Sequence, residues 1–282
     1  MIVIRECRGF EELQACVDLQ IEVWGYSDGD VIPRRVFLVA QKIGGHAIGA
    51  FDVKAGNREQ GTGNREQGTE DEVPDGGDLG DAASLVGFAF SLPGVKTGAA
   101  SRSGRPESYL HSHMLAVRAG YRNQNIGARL KLAQREDALK RGFDRMEWTF
   151  DPVEIKNAFL NIRKLGAIVR RYEENFYGAS SSHLQGGLQT DRLVAEWMIG
   201  SDRVGDAIAG KPPNPGRPGE DFVTTIRVPA KIYEWKASDA DRHRAVEVQA
   251  ENRTQFQEAF AQGLAVIAFD VDARGDGIYY LG

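Results

Sequence analysis

Two histidines separated by one residue are the side chains in this sequence that we consider first as proton acceptors in a reaction. His111 and His113 lie between Tyr109 and Val117, in a stretch that contains β-branched and aromatic residues. Both its odd-numbered and its even-numbered positions carry apolar side chains. This pattern predicts a strand that is buried on both faces. Alternation places both imidazoles on one face of that strand, together with Leu115 and Val117. An imidazole with an ordinary pKa of about 6.5 is neutral near pH 7 and can accept a proton from an ammonium group.

Residues 122–128, with the sequence RNQNIGA, separate this strand from a helical pattern. Ile126, Leu130 and Ala133 recur at helical intervals, and Gly142 ends the pattern. The first N–H groups of a helix have no partner within the helix, and the helix dipole favours negative charge near them. The loop is therefore a predicted site for phosphate oxygens. A turn in which glycine and asparagine have only a structural role is the alternative that these residues leave open.

The His-x-His spacing also permits a metal site. Two imidazoles on one strand face can bind zinc, and Asp151, at the end of the next predicted strand, could be a third ligand. However, Asp151 is followed by Pro152 and Glu154, a pattern typical of a helix N-terminus. Because that capping role competes with metal binding, we expect no metal. A hydrogen-bonded histidine in the core is a further alternative for His111.

Periodicity and turn residues predict the order β-α-α-β-β-β-α-β-α-β-β over about the first 200 residues. The predicted strands are 2–5, 46–53, 84–91, 109–117, 146–150, 167–172 and 193–199. Farther along the chain, a strand over 222–228, a helix over 239–262 and strands over 264–271 and 277–281 follow a stretch rich in proline and glycine. The whole pattern predicts an α+β fold.

The element order and the loop sequence together resemble the GNAT superfamily of acyl-CoA N-acyltransferases. In that family a glutamine or arginine, two residues, a glycine, one residue and a glycine or alanine surround the pyrophosphate of coenzyme A. Arg122 and Gly127 match this motif, whereas Asn125 occupies a position at which glycine is usual. Asparagine tolerates positive φ better than most residues, so we expect the loop to keep its shape. The resemblance implies a mixed central sheet with helices on both faces, followed here by a small C-terminal βαββ extension.

The resemblance also implies residue roles. His111 falls where several members of the family place a catalytic glutamate, so His111 is the expected base and His113 the second candidate. The tyrosine that protonates the thiolate of coenzyme A in many members would fall at Ile162, and Tyr172 or Tyr177 could substitute for it. The expected coenzyme A-binding residues are Leu115, Ala116, Val117, Arg122, Asn123, Gln124, Asn125, Ile126, Gly127, Ala128 and Asn157.

The implied activity is acyl-CoA-dependent N-acylation of a small primary amine, with an amino acid among the candidate acceptors. Acetyl-CoA is the default co-substrate, and another acyl-CoA, succinyl-CoA in particular, is the alternative. A catalytically silent acyl-CoA-binding or regulatory module is the alternative function, favoured by Asn125 and by Ile162 at the tyrosine position.

Composition limits the other classes of protein. The 282 residues are 41% hydrophobic, which suffices for one large or two ordinary cores. The formal net charge is -5, but residues 56–81 hold eight acids and two arginines, so the rest is close to neutral and we expect no nucleic-acid partner. No apolar run approaches the roughly 20 residues of a membrane span and no signal-peptide pattern is present, so we expect a cytoplasmic location and no membrane partner. A homodimer is compatible with the sequence.

The chain is expected to divide into a GNAT-like domain over 1–200, a linker over 201–220 and the βαββ extension over 221–282. Residues 54–83 form an acidic insertion in which GNREQGT occurs twice, at 56–62 and 63–69. Its composition cannot bury apolar surface, so we expect it to be disordered. The extension is small for independent stability and is expected to pack on the first domain or to extend its sheet.

Overall fold

The computed structural model describes residues 1–27, 29–53, 84–98, 101, 103–179, 182 and 185–282. The expected insertion over 54–83 lies outside these residues. The described elements, in chain order, are β1 (Ile2–Glu6), α1 (Gly9–Trp24), α2 (Arg34–Lys42), β2 (His46–Asp52), β3 (Ser84–Lys96), β4 (Glu107–Val117), α3 (Ile126–Lys140), β5 (Arg145–Phe150), α4 (Ile155–Ala158, continued by a π-helical turn over Phe159–Lys164), β6 (Ile168–Glu173), β7 (Arg192–Met198), α5 (Asp202–Ile208), β8 (Thr224–Val228), α6 (Ile232–Ala237), α7 (Arg242–Ala261), β9 (Val266–Val271) and β10 (Gly277–Leu281). The predicted order of the first eleven elements is confirmed.

The strands form one mixed sheet in the order β1-β2-β3-β4-β5-β7-β6-β9-β10-β8. Strands β4 and β5 are parallel, and the other neighbouring pairs are antiparallel. The strands after residue 221 join this sheet through one pairing, between Val169 of β6 and Val266 of β9. The C-terminal strands therefore extend the sheet.

Helices cover both faces of the sheet, as expected from the apolar side chains of β4. On one face, Phe37 of α2 contacts Phe88 and Phe90 of β3, with ring centroids 5.8 and 4.4 Å apart. On the other face, Ile126 and Leu130 of α3 are buried against β2 and β3. The three phenylalanine rings are buried, and their apolar area stabilises the packing of α2 on β3.

Two expectations for the C-terminal part need correction. Residues 201–220 are not a linker throughout, because Ser201 accepts a hydrogen bond from the Val204 N–H at 3.4 Å and begins α5. Val204 and Ala207 of α5 are buried, so this segment packs on the domain. The extension also has a second helix, α6, before α7, and Ile232 anchors it in the core. No described helix is both long and apolar enough to cross a membrane.

Candidate functional site

Strands β4 and β5 separate soon after they meet. They pair at Leu110 with Met146 and at His111 with Glu147. Beyond this point β4 continues to Val117 beside β3, and β5 continues to Phe150 beside β7. The result is a wedge-shaped opening that is narrow at His111 and widens toward the carboxyl ends of both strands. The edge of β4 in this opening presents backbone N–H and C=O groups to which an extended ligand can pair.

A β-bulge lies beside the narrow end of the opening. Ser91 of β3 pairs with Ser112, and Phe90 pairs with Met114, so His113 is an extra residue on β4. The bulge reverses the alternation of side chains beyond it. The His111 and His113 rings lie on one face with centroids 5.9 Å apart, and the His113 ring is 6.4 Å from Phe90.

Leu115 and Val117, in contrast, pack against the core that contains Ile126 and Leu130 of α3. The expectation that they share a face with the two histidines is therefore wrong. The cause is the single inserted residue, because one extra residue moves every later side chain of a strand to the opposite face. Ala116, on the histidine face, is buried in the core that contains Phe37 and Phe90.

The loop between β4 and α3 presents a row of free donors at the wide end of the opening. Its residues 122–125 are exposed, and Asn123 and Asn125 have positive φ values of 63° and 60°. Asn125 therefore adopts the positive φ that a glycine would adopt at this position, as expected from the sequence. Among the described residues, none accepts a hydrogen bond from the backbone N–H groups of residues 123–128. Together with the helix dipole, these six donors favour the binding of an anion.

The side chains of the loop contribute unequally. Arg122 donates from Nε to the Val117 carbonyl at 3.2 Å, and the Gln124 side chain donates weakly to the Gly120 carbonyl at 3.4 Å. Ile126 and Ala128 are buried, so only their backbone can meet a ligand. Asn157 is exposed on α4, which begins beyond the carboxyl end of β5. Because β4 and β5 are parallel, α3 and α4 both begin at the wide end of the opening.

A charged cluster surrounds His111 on its face of the sheet. Glu147, the pairing partner of His111, is buried and contacts Lys96 at 2.7 Å, Arg171 at 2.9 Å and Arg145. Burial alone would raise the pKa of the Glu147 carboxyl, but the three cations outweigh it and hold the pKa below its ordinary value. Glu147 is therefore an anion at neutral pH and not a proton donor.

His111 is neutral at physiological pH. Burial lowers its pKa to about 4, and the neighbouring His113, Lys131 and Lys96 act in the same direction, against the opposing effect of Glu147. Burial also lowers the pKa of His113. No described residue forms a hydrogen bond with the His111 ring, so both of its nitrogens remain available to a substrate or to water. The ring is half-buried at the narrow end of the opening.

Of the two candidate tyrosines, one reaches this site. The Tyr177 hydroxyl is 2.9 Å from Thr149 Oγ1 on β5, and its ring centroid is 6.5 Å from that of His113. Tyr172 instead donates its hydroxyl to the buried Asp191 carboxylate at 2.6 Å. Ile162, at the family's tyrosine position, is fully buried in the core. Tyr177 is thus the tyrosine that the structure brings next to the histidines.

The segment that carries Tyr177 is held by α7 of the C-terminal extension. Arg253 contacts Asp191 at 2.9 Å and Glu174 at 2.6 Å, and Gln249 donates to the Gln189 carbonyl at 2.9 Å. Asp191 also accepts the Asn175 N–H at 2.9 Å. No local pattern in the sequence indicates the contacts of α7 with this segment, since they join residues about 60 to 80 positions apart. The extension is therefore part of the wall beside the opening.

Lys131 is a second residue that sequence reasoning missed. It is buried on α3, and its Nζ donates to Ser112 Oγ at 2.7 Å and lies 3.6 Å from the centre of the Trp148 ring. A signal was present, because Lys131 and Gln134 interrupt a buried helix face that otherwise holds Ile126 and Leu130.

Asp151, the third ligand of the hypothetical metal site, has partners for both of its carboxylate oxygens. Asp151 Oδ1 accepts the Val153 N–H at 2.9 Å, and Oδ2 lies 3.3 Å from Lys236 Nζ. Asp151 is therefore occupied in the turn before α4, although the helix begins at Ile155 and not at Pro152. The described part of the chain contains no group of three or more His, Cys, Asp or Glu residues arranged to hold a metal.

Comparison with protein-family models found no match, and comparison with curated proteins found none either. Solved structures do match. Arabidopsis thaliana NAA60 in complex with acetyl-CoA aligns with a TM-score of 0.51 at 13% identity, over 71% of this chain and 100% of its own. The ribosomal-protein-S18-alanine N-acetyltransferase from Escherichia coli aligns at 0.45 and 13%, over 71% and 96%. A GNAT-family protein from Desulfovibrio desulfuricans aligns at 0.43 and 11%, over 71% and 99%. With the mixed sheet, its opening and the donor loop, the NAA60 alignment identifies the fold of this chain as that of the GNAT acetyltransferases.

Proposed function

We propose that this protein is an acyl-CoA-dependent N-acyltransferase that acts on a small primary amine. One observation carries the proposal: the six free N–H groups of residues 123–128 stand at the wide end of an opening that narrows to His111. A ligand with a phosphate at one end and a reactive thioester at the other matches that arrangement. Acetyl-CoA is the default co-substrate, and an amino acid is among the candidate acceptors.

Coenzyme A would bind in two parts. Its pyrophosphate would accept hydrogen bonds from residues 123–128, with Arg122 supplying positive charge beside them. Its pantetheine arm would pair with the free edge of β4 along residues 115–117, as an added strand does. Asn157, at the start of α4, is the candidate contact from the other side of the opening.

The chemistry would use the histidine face. His111, or His113 as the second candidate, would accept a proton from the ammonium form of the acceptor, directly or through water. The amine nitrogen then forms a bond to the thioester carbon, and the carbon–sulfur bond breaks. Backbone N–H groups at the bulge are candidates to stabilise the oxyanion, because the bulge leaves a residue outside the β3 ladder. Tyr177 would donate a proton to the departing thiolate and recover one from the new amide nitrogen, directly or through water.

The expected division of the chain fits this scheme. We propose that residues 1–200 form the acyltransferase unit and that residues 221–282 complete its wall through Arg253. The contacts of Arg253 with Asp191 and Glu174 support this role for the extension.

Thiol release from acetyl-CoA and succinyl-CoA, measured against a panel of small primary amines, tests the proposal. We expect amine-dependent release with at least one acceptor, and a product whose mass equals that of the amine plus the acyl group minus one hydrogen. His111→Ala should slow the release, whereas His243→Gln, an exposed control on α7, should not. A protein that binds coenzyme A but releases no thiol with any amine would be the silent module.

A further inference from the structure

Lys131 bridges the opening from the side of α3. Its Nζ contacts Ser112, the first residue of β4 beyond the last pairing with β5, and lies over the ring of Trp148, the corresponding residue of β5. Thus the buried amine of Lys131 lies where the two strands begin to separate. It lies on the sheet face opposite His111 and Glu147.

The surroundings of Lys131 contain more donors than acceptors. Lys131 and Gln134 are only 3% and 0% exposed. The Ser112 hydroxyl accepts from Lys131 and donates to Gln134 Oε1 at 2.9 Å. The Gln134 side-chain nitrogen has no hydrogen-bond partner within the described structure. No carboxylate of a described residue contacts the Lys131 amine, whose hydrogen-bond partner is the Ser112 hydroxyl. Buried donors without acceptors are costly, so this cluster is suited to an added acceptor that bears negative charge.

The path of the co-substrate leads to this cluster. The free edge of β4 runs from Val117, beside the phosphate loop, to Ser112, a distance of about 17 Å at strand rise. A linear thioester that enters at the loop and follows this edge must end where the strands close. Its carbonyl would face the histidines on one side, and a longer acyl chain would extend toward Lys131 on the other.

We propose that Lys131, with Gln134 and Ser112, forms a subsite for acyl groups that end in a carboxylate, so that a short dicarboxylic acyl-CoA is the preferred donor. This inference rests on the proposed function and specifies its acyl class. An acetyl group has no terminal carboxylate to offer to the cluster. A terminal carboxylate would pair with the ammonium and accept from the free Gln134 nitrogen.

A purely structural lysine explains the cluster less well. An apolar side chain of similar length would fill the same space beside Trp148 without an ionisable group, and such replacements of buried charges are often neutral or stabilising. The groups that face Lys131 are Ser112 from β4, Trp148 from β5 and Gln134 from α3, and none of them is an anion. His111 on the opposite face is neutral at pH 7, and Glu147 there is engaged by Lys96 and Arg171.

The first test compares kcat/KM for succinyl-CoA with kcat/KM for acetyl-CoA, at a fixed concentration of an accepted amine. The wild type should favour succinyl-CoA. Lys131→Met should lower the succinyl-to-acetyl ratio at least about 30-fold, since truncating one partner of a buried charge pair typically costs that much. Lys140→Met, an exposed lysine at the end of the same helix, should leave the ratio unchanged.

The second test needs no variant. Burial holds the pKa of Lys131 well below its ordinary value, and a bound carboxylate would raise it. Calorimetric titrations in buffers of different ionisation enthalpy should therefore show proton uptake when succinyl-CoA binds, and less when acetyl-CoA binds. Equal uptake, an unchanged ratio in Lys131→Met or a covalent acyl adduct on Lys131 would overturn the inference. If acetyl-CoA is used while succinyl-CoA is not preferred, only this inference fails. If neither thioester binds, the proposed function fails with it.

Discussion

His111 pairs with Glu147 at the last position where β4 and β5 are joined. Beyond it, the backbone edge of β4 borders the opening between the two strands. This relationship places a neutral imidazole at the closed end of a channel that begins at a row of amide donors. It also places a buried carboxylate, held by Lys96, Arg145 and Arg171, directly beside that imidazole. The proposed chemistry depends on this arrangement.

His111→Ala should lower kcat by about two orders of magnitude or more, the usual contribution of a positioned base, and should leave the Kd for coenzyme A nearly unchanged. Because the pKa of His111 is lowered to about 4, the rate should fall as the pH decreases through about 4, and not near the ordinary value of 6.5. The pH profile of His111→Gln should lack this limb, and that of His243→Gln should keep it. If His111→Ala changed the melting temperature but not kcat, His111 would be a structural histidine of the core and not the base.

Gly127→Val should abolish detectable binding of coenzyme A in calorimetry. A Cβ at Gly127 would meet only a Leu115 methyl group, at 3.5 Å, so the free protein can accommodate the side chain. A bound pyrophosphate, however, would have to occupy the same space at the helix N-terminus. Gly205→Val in α5, another helical glycine with open space beside it, is the matched control. Unchanged affinity in Gly127→Val, with an intact fold, would refute the phosphate site.

Arg253→Ala should lower kcat on the order of 10- to 100-fold, because Tyr177 would no longer be held in its position beside the histidines. The affinity for coenzyme A should not change comparably. The substitution removes the contacts of α7 with Asp191 and Glu174 and leaves a buried carboxylate short of a partner. Arg253→Lys should recover part of the rate. Arg244→Ala, an exposed arginine on the same helix, should behave as the wild type. Equal losses in both alanine variants would remove the specific role of Arg253.

His46 should make the fold sensitive to acid. Burial, with a contribution from Arg141, lowers the pKa of His46 to about 4, against about 6.5 in the unfolded chain. The unfolded state therefore binds the proton first, and stability is lost as the pH falls from about 6.5 to about 4. In urea unfolding, His46→Gln should reduce the loss between pH 7 and pH 5 by about 2 kcal/mol. The exposed His243→Gln should leave this loss unchanged, and a similar reduction there would exclude His46 as the cause.

Residues 54–83 should be dispensable for stability and for acyl transfer. The strands that flank them already meet, because Asp52 of β2 pairs with Ser84 of β3. Replacing 54–83 by Asn-Gly leaves the three-residue loop Val53-Asn-Gly between the paired Asp52 and Ser84, a loop length common in hairpins with glycine at the last position. The melting temperature and the rate should remain within error of the wild type. A clear decrease in either quantity would show that the insertion has a role.

The order of elements and the position of the loop could be predicted from the sequence because both depend on local signals. Apolar periodicity marks β4 and α3, and glycines such as Gly25 and Gly166 end helices with positive φ. The preference of asparagine for that region of φ likewise indicated that Asn125 could replace a glycine. These signals need no knowledge of which strands are neighbours.

The rest of the site depends on long-range pairing. The bulge at His113 is defined by how β4 pairs with β3, and no residue type in β4 predicts it. Tyr177 contacts Thr149 in a segment that Arg253 of α7 binds through Glu174. This contact joins residues that are far apart in the chain. Lys131 meets Ser112 and Trp148 only once β4 and β5 separate above the helix. Such relationships are fixed by tertiary packing, so periodicity and spacing could not predict them.

Amide hydrogen exchange, measured with and without coenzyme A, tests the central claim most directly. The proposed site predicts slower exchange at residues 123–128, whose N–H groups lack acceptors in the free protein, and along β4 from residue 113 to residue 117. It predicts little change in β10 and β8, which lie at the far end of the sheet from β4. Protection that is confined to another part of the sheet, or no protection at saturating coenzyme A, would contradict the site and the acyltransferase function built on it.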